Sequence, residues 1–203
     1  MKRIRKTVIW MLGAGAVCTA VAAGAWIYAT SNVEVPPYVI AETDGDVEIR
    51  DYPPLVVAEV TTTGPRREAV RAGFGPLAGY IFARERPGEK IAMTAPVTQR
   101  AEGNGAWTVQ FIMPEGYSLE DLPAPSGSTV SLNTEPALRR AAIRFSGSWS
   151  DALFAEKEAA LRAWLTARGQ EPSGPAIFAY YNDPFTPGFL RRNEVIFDLG
   201  PAG

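Results

Sequence analysis

The groups that could do chemistry in this chain are few, and their types exclude a great deal. Among 203 residues there is no histidine and a single cysteine, Cys18. Ser-His-Asp and Cys-His catalysis and histidine-based metal centres are excluded, as are intramolecular disulfides and thiolate clusters. Acidic residues gather at Glu42, Asp44, Asp46 and Glu48. They flank Asp44-Gly45, a hairpin signal, so they read as a solvated turn, with a hard-cation site as the alternative. Arg66, Arg67 and Arg71 cluster where a helix is predicted to start. They read either as exposed charge or as partners for the carboxylate or phosphate of an acidic ligand, which arginine binds bidentately. Gly73-Phe74-Gly75-Pro76 is no phosphate loop, because it lies inside a helical pattern and lacks the strand such a loop follows. Glu156, Lys157 and Glu158 fall on an exposed helix face. No nucleophile–base or carboxylate pair stands at a working spacing, so the residues predict binding rather than catalysis.

The N-terminus carries a membrane address. Lys2, Arg3, Arg5 and Lys6 form a basic segment (1–7) without an acid. An apolar stretch over 8–29 follows, 22 residues long, with Trp10 near one end and Trp26 and Tyr28 near the other. At about 1.5 Å per residue it spans a hydrocarbon core of about 30 Å as a single hydrophobic helix. The basic end is expected in the cytoplasm and the rest outside, periplasmic in a Gram-negative cell. The rival is a signal sequence cleaved near Ala23-Gly24-Ala25, which would release a secreted domain. Cys18 reads as a small apolar residue within the stretch. A linker over 30–37 ends at Pro36-Pro37, and the domain is predicted over 38–200. Net charge is −2 overall and −6 without the basic segment, so no basic surface invites nucleic acid.

Hydrophobic periodicity sets the elements that position these groups. Strands are predicted at 38–43, 46–52, 55–62, 90–99, 106–113, 129–134, 138–146, 176–181 and 193–199. One helix opens at Gly64-Pro65 and runs to about Arg84, with Val70, Phe74, Leu77 and Ile81 on its buried face. The other covers about 150–168 with the stripe Leu153, Ala160, Leu161, Trp164 and Leu165, and Gly169 stops it. The halves repeat. Val47, Pro53, Leu55, Val60 and Gly64 recur 83 positions later as Val130, Pro136, Leu138, Ile143 and Gly147. Val109, Phe111 and Met113 recur 86 positions later as Val195, Phe197 and Leu199. The expected fold is α+β: a distorted β-barrel of two pseudo-repeated strand-strand-helix-strand-strand units with two main helices, and a ligand cleft between the halves.

Three motifs carry a family likeness. Lys90-Ile-Ala-Met-Thr-Ala-Pro-Val97, Phe111-Ile-Met-Pro114, and Tyr181-Asn-Asp-Pro-Phe185 followed by Arg191-Arg-Asn-Glu-Val195 resemble the SOUL haem-binding family, and Val47-Glu-Ile-Arg50-Asp-Tyr52 resembles its opening strand. The likeness covers about 38–200. It implies a two-repeat distorted barrel and an apolar cleft for haem or another tetrapyrrole. The same fold serves effector-binding domains that take small molecules without haem. Histidine ligation cannot carry over. Met93 and Met113, or Tyr80, Tyr180 and Tyr181, are the remaining iron donors, each also readable as a packing or turn residue. Arg71, Phe74, Leu77, Met93, Met113 and Tyr180 are the expected ligand-binding residues. Tyr52, Arg191, Arg192, Asn193 and Glu194 read as structural, with Asn193 and Glu194 holding the preceding turn. The expected role is a membrane-tethered, outward-facing tetrapyrrole-binding protein. The alternatives are a haem-independent module for another amphipathic small molecule, or a cell-envelope interaction protein.

Overall fold

The computed structural model describes residues 33–84 and 86–201. The basic segment, the apolar stretch 8–29 with Cys18, and the first part of the linker lie outside the described residues. Among those described, no helix is long and apolar enough to cross a membrane.

Nine strands and two helices follow in the order β1 (Val39–Asp44), β2 (Val47–Tyr52), β3 (Leu55–Thr63), α1 (Arg66–Ile81), β4 (Val97–Gly103), β5 (Ala106–Ile112), β6 (Ser131–Glu135), β7 (Leu138–Phe145), α2 (Asp151–Thr166), β8 (Ile177–Tyr180) and β9 (Asn193–Pro201). They form one antiparallel sheet in the order β1-β2-β7-β9-β8-β4-β5-β3-β6. From β2 to β6 this order is a palindrome. Exchanging β2 with β6, β3 with β7, β4 with β8 and β5 with β9 maps it onto itself about the central β4–β8 pair. The duplicated unit is thus β2-β3-α1-β4-β5 followed by β6-β7-α2-β8-β9. Gly64 and Gly147, equivalent across the repeat, both hold φ in the left-handed region, at 110° and 132°. That conformation is open to glycine and strained for other residues.

The predicted barrel does not close. Each unit lends its first strand to the other, β2 to β7 and β6 to β3, so the sheet ends on β1 and β6. β1 adds a strand beyond β2 that has no counterpart beyond β6. It is exposed along its whole length, and its Glu42 and Asp44 charge the edge, which discourages further pairing.

Period-2 alternation sends Val47, Ile49, Ala58, Val60, Val109, Phe111, Ala141, Phe178, Tyr180, Val195 and Phe197 to the face that both helices cover. α1 packs on β3 and β5, α2 on β7 and β9. Ser150 caps α2 by accepting a hydrogen bond from the Leu153 N–H. Phe154, Leu161 and Leu165 are its buried residues, while the predicted Ala160 is exposed and Leu153 and Trp164 are half-buried. On α1 the buried face is rotated from the predicted stripe. It runs through Ala69, Gly73, Leu77 and Ile81, leaving Phe74 42% exposed at the rim. The cause is Gly73. A Cβ built there would stand 2.7 Å from Val109 Cβ and Cγ2, so the missing side chain lets the helix backbone settle on β5. Gly73→Val is therefore expected to cost about 1–3 kcal/mol by overpacking. A urea titration should show a lower midpoint at unchanged slope, and an unchanged midpoint would rule the close approach out.

β4 also begins later than predicted, at Val97 rather than Lys90. The backbone of 91–95 bonds elsewhere: Ile91 N to Ile81 O at 2.8 Å and Ala95 N to Glu34 O at 2.8 Å. Thr94 pairs with Glu34 in an isolated parallel bridge and donates its hydroxyl to Ile112 O. The segment that reads as strand is the seam that receives the chain from residue 34.

Candidate functional site

Two polar clusters and one hollow organise the space around the central strands. On the helix-covered side, Arg66 is 7% exposed and joins the starts of both helices. Its Nε donates to Asp151 Oδ1 at 2.7 Å, its Nη1 to the Tyr180 hydroxyl at 2.5 Å and its Nη2 to Trp149 O at 3.0 Å. Its guanidinium also lies 4.5 Å from the Phe154 ring centre. The Tyr180 hydroxyl in turn donates to Gln99 Oε1 at 3.0 Å, and Gln99 Nε2 donates back to Arg66 O at 2.9 Å. Burial pushes the Tyr180 phenol up to about 12, against the pull of Arg66.

On the opposite face, the fully buried Glu194 holds the second cluster. Its Oε2 accepts from Arg50 Nη1 and from the Tyr181 hydroxyl, both at 2.8 Å. Its Oε1 accepts from Arg50 Nη2 at 3.0 Å and from Arg192 Nε and Nη2 at 3.0 and 2.8 Å. Burial works to raise the Glu194 pKa, but the two guanidiniums outweigh it and hold the carboxyl below its usual value. Burial likewise opposes the charge on Arg50, where Glu194 more than restores it, and on Arg192, where Tyr181 and Glu194 together do so. Tyr181 is pushed well above the usual phenol range by burial and by the carboxylate beside it.

Next to this cluster lies a hollow lined by Pro36, Tyr52, Thr98, Gln110, Arg140 and Tyr181, among others, with room of about 20 Å³. That is space for roughly one water, against the ~300–1,000 Å³ of a small-molecule site. Its polar rim is already paired. Arg140 binds Glu135 and Asp198 at 2.7 Å each, and Gln110 Nε2 donates to Glu59 and Glu135. Among the described residues no buried side-chain polar atom lacks a partner.

The expected ligand residues are brought together in part. Leu77, Met113 and Tyr180 share the main core with Phe111 and Val97, and Met93 packs against it half-buried. Phe111, Val97, Tyr180 and Asn193 form one row across β5, β4, β8 and β9. Phe74 stands over that row, its ring edge-on to Phe111 at 5.2 Å. Arg71 is exposed on the same helix. The turn after β8 is held differently from expectation. Arg191 donates to Thr186 O and Pro184 O, Asn182 accepts from Arg192 N, and Asp183 accepts from the N–H groups of Phe185 and Thr186. Asn193 instead ties the Gly147 corner to Trp149, and Glu194 closes the arginine cluster. The acidic hairpin forms no metal cluster. Asp44 accepts from Trp164 Nε1 and Arg168, and Glu48 pairs with Arg50; among the described residues no group of three or more ligand-type side chains could hold a metal.

Sequence reasoning read Arg66 either as exposed charge or as a partner for an acidic ligand, not as a buried link between the helices, and passed over Gln99 and Arg140. Arg140 did leave a signal: it sits between Leu138 and Ala142 on one face of a strand, at a buried position.

Solved structures share this arrangement at low sequence identity. The EcmrR C-terminal domain matches at 13% identity and TM-score 0.53, over 77% of this chain and 98% of that one. A structure described as a hydrolase from Listeria innocua matches at 12% and 0.54, over 77% and 93%. EcmrR in its DNA complex matches at 12% and 0.55, over 77% and 57%. These likenesses show the fold alone. No curated protein matches in sequence. Residues 33–198, almost the whole described domain, match the SOUL heme-binding protein family, and the chain belongs to that family.

Proposed function

We propose that this protein binds haem or another tetrapyrrole on an apolar surface beside α1, without a histidine, as the outward-facing domain of a membrane-tethered chain. The single observation that carries the reading is the exposed stripe of α1. Arg67, Arg71 and Phe74 lie four and three residues apart and so share one helix face. Phe74 is left in the open on it, and neither arginine makes an ion pair or hydrogen bond among the described residues. An aromatic face flanked by two exposed guanidiniums suits a flat apolar ring that bears carboxylates.

The residues fit the macrocycle and its carboxylates but not its iron. Tyr180 and Tyr181 have their oxygens engaged, and burial disfavours their phenolates. Tyr80 donates to Pro123 O, Met113 is 5% exposed within the core, and Met93, half-buried, packs against that core. Bound haem would bring its own redox and ligand chemistry; this chain's part is to shield one ring face and neutralise the carboxylates. The hollow on the other face is too small for the ring. Nothing around either cluster pairs a nucleophile with a base, which favours binding over catalysis.

The test is a titration of the full chain, in detergent or vesicles, with hemin and with metal-free protoporphyrin in parallel. Saturable binding of both is expected, with affinity reduced about tenfold or more by Arg71→Glu combined with Phe74→Ser. Saturation by neither would defeat the proposal. Binding of hemin alone would show that a protein atom ligates iron after all.

A further inference from the structure

We propose that one end of the sheet is a lipid-docking tip that dips into the surface of a bilayer. The inference rests on the reading that the chain is membrane-tethered. Eight large hydrophobic residues are exposed among the described residues. Three are scattered: Val39 and Ile40 on the edge strand, and Phe74 on α1. The other five leave the sheet at a common end. Tyr117 (37%) and Leu119 (36%) lie on the loop after β5. Phe185 (86%), Phe189 (78%) and Leu190 (54%) lie on the loop after β8. The register places these loops together. Phe111 pairs with Val97 and Val97 with Tyr180, so β5 and β8 flank β4 and finish at the level where β4 begins. The two loops are about 10 Å apart at their roots, two strand spacings.

The chain joins the domain at that same end. Glu34 pairs with Thr94, just before β4, and its Oε1 accepts from the Glu115 N–H at the root of the first loop. Only residues 30–33 separate Glu34 from the apolar stretch 8–29. Fully extended, that connection reaches roughly 17 Å. A stretch of that length crossing a bilayer would therefore hold this end of the domain within reach of the headgroups, where Phe, Leu and Tyr side chains settle. Single exposed apolar residues call for no explanation, but five on two loops that leave the sheet where the chain enters the domain do. The loop tip is preformed. Asp183 and Arg191 fix the turn 182–191 through its own backbone, so Phe185 and Phe189 are held outward without ordering on contact. Across the two loops Glu115, Glu120, Asp121 and Asp183 outnumber Arg191 and Arg192, so the tip carries no net positive charge. The occupant is thus the apolar and interfacial region of the bilayer rather than anionic headgroups, and docking should survive raised salt.

The experiment uses the full chain in phosphatidylcholine vesicles. Cys18→Ala removes the native thiol, and an environment-sensitive fluorophore is attached at Phe189→Cys or, at the opposite end of β4, at Glu102→Cys. Brominated lipids are expected to quench position 189 several-fold more than position 102, unchanged by salt. Phe185→Ser should lessen quenching at position 189 while leaving thermal stability unaltered. Equal quenching at 189 and 102 would overturn the proposal. Alkaline extraction of the same vesicles reads the tether separately. Protein that is extracted, yet still quenched at 189 by added vesicles, would defeat the tethered reading and leave the docking tip standing. Protein that resists extraction but is not quenched at 189 would do the reverse.

Discussion

Glu194→Gln is expected to destabilise the domain by about 3–5 kcal/mol, the cost of leaving buried charge without its counter-charge. Arg50 is 1% exposed and both of its terminal nitrogens end on this carboxylate. Arg192, three-quarters buried, binds the same carboxylate from the other side through Nε and Nη2. Glutamine keeps the shape and removes the charge. Arg50 would retain as counter-charge only Glu48, itself 27% exposed, beside a long hydrogen bond to the Tyr52 hydroxyl at 3.3 Å and the ring of Tyr38 at 4.5 Å. For a domain of this size the thermal midpoint should fall by roughly 10 °C. The pH dependence gives an independent reading. The Glu194 pKa is lower in the fold than in the open chain, so its contribution is present above the ordinary glutamate pKa of about 4.3 and is lost as pH falls through the lower folded value. The variant should lack that part of the acid transition. Replacing Arg50 and Glu194 together by apolar residues of similar volume should recover much of the loss. A fall of less than about 1 kcal/mol in Glu194→Gln would show the cluster to be no support of the fold.

Where the chain's local signals decided the outcome, the fold was legible. Strand alternation, the Asp44-Gly45 and Asn104-Gly105 turns and the 83-residue offset between Gly64 and Gly147 are visible in the sequence. They yield nine strands, two helices and the repeat. Closure was not legible, because it depends on which strand each edge meets, and periodicity within a strand is silent about its neighbour. The rotation of α1 was missed for a related reason. A stripe search follows large side chains, yet the contact with Val109 is made where Gly73 has none. The buried arginines were missed because a charge on a strand or at a helix start reads as outward-facing. Arg50, Arg66 and Arg140 are buried only because acids far along the chain (Glu194, Asp151, Asp198) arrive beside them in the fold. Of the candidate ligand residues, Arg71 and Phe74 are exposed on one face of α1, Leu77, Met113 and Tyr180 lie in the core, and Met93 is half-buried against it.

Alkaline unfolding is expected to set in between pH 10 and pH 12, with Tyr180 a main cause. An unperturbed phenol ionises near pH 10, whereas burial raises that of Tyr180 to about 12 in the fold. The neutral form is the one the fold holds. The stabilisation is therefore complete below about pH 10 and is lost as pH rises toward the folded value. Two pKa units correspond to about 3 kcal/mol, a large share of the ~5–15 kcal/mol that holds a domain folded. Tyr52, Tyr80 and Tyr181 shift in the same direction, each chiefly by burial, and deepen the loss. Tyrosinate absorbance and circular dichroism followed together should therefore change in one cooperative step, because the buried phenols ionise only as the fold opens. Tyr180→Phe separates the contributions. Gln99 loses its donor and Arg66 one acceptor, but Arg66 keeps Asp151 and the Trp149 carbonyl. The variant should start somewhat less stable at neutral pH and show a shallower decline above pH 10. Tyrosinate appearing well before the loss of circular dichroism would mean that these phenols ionise within the folded protein. The Arg66–Tyr180–Gln99 chain would then not be the closed link between the two helices that its distances describe.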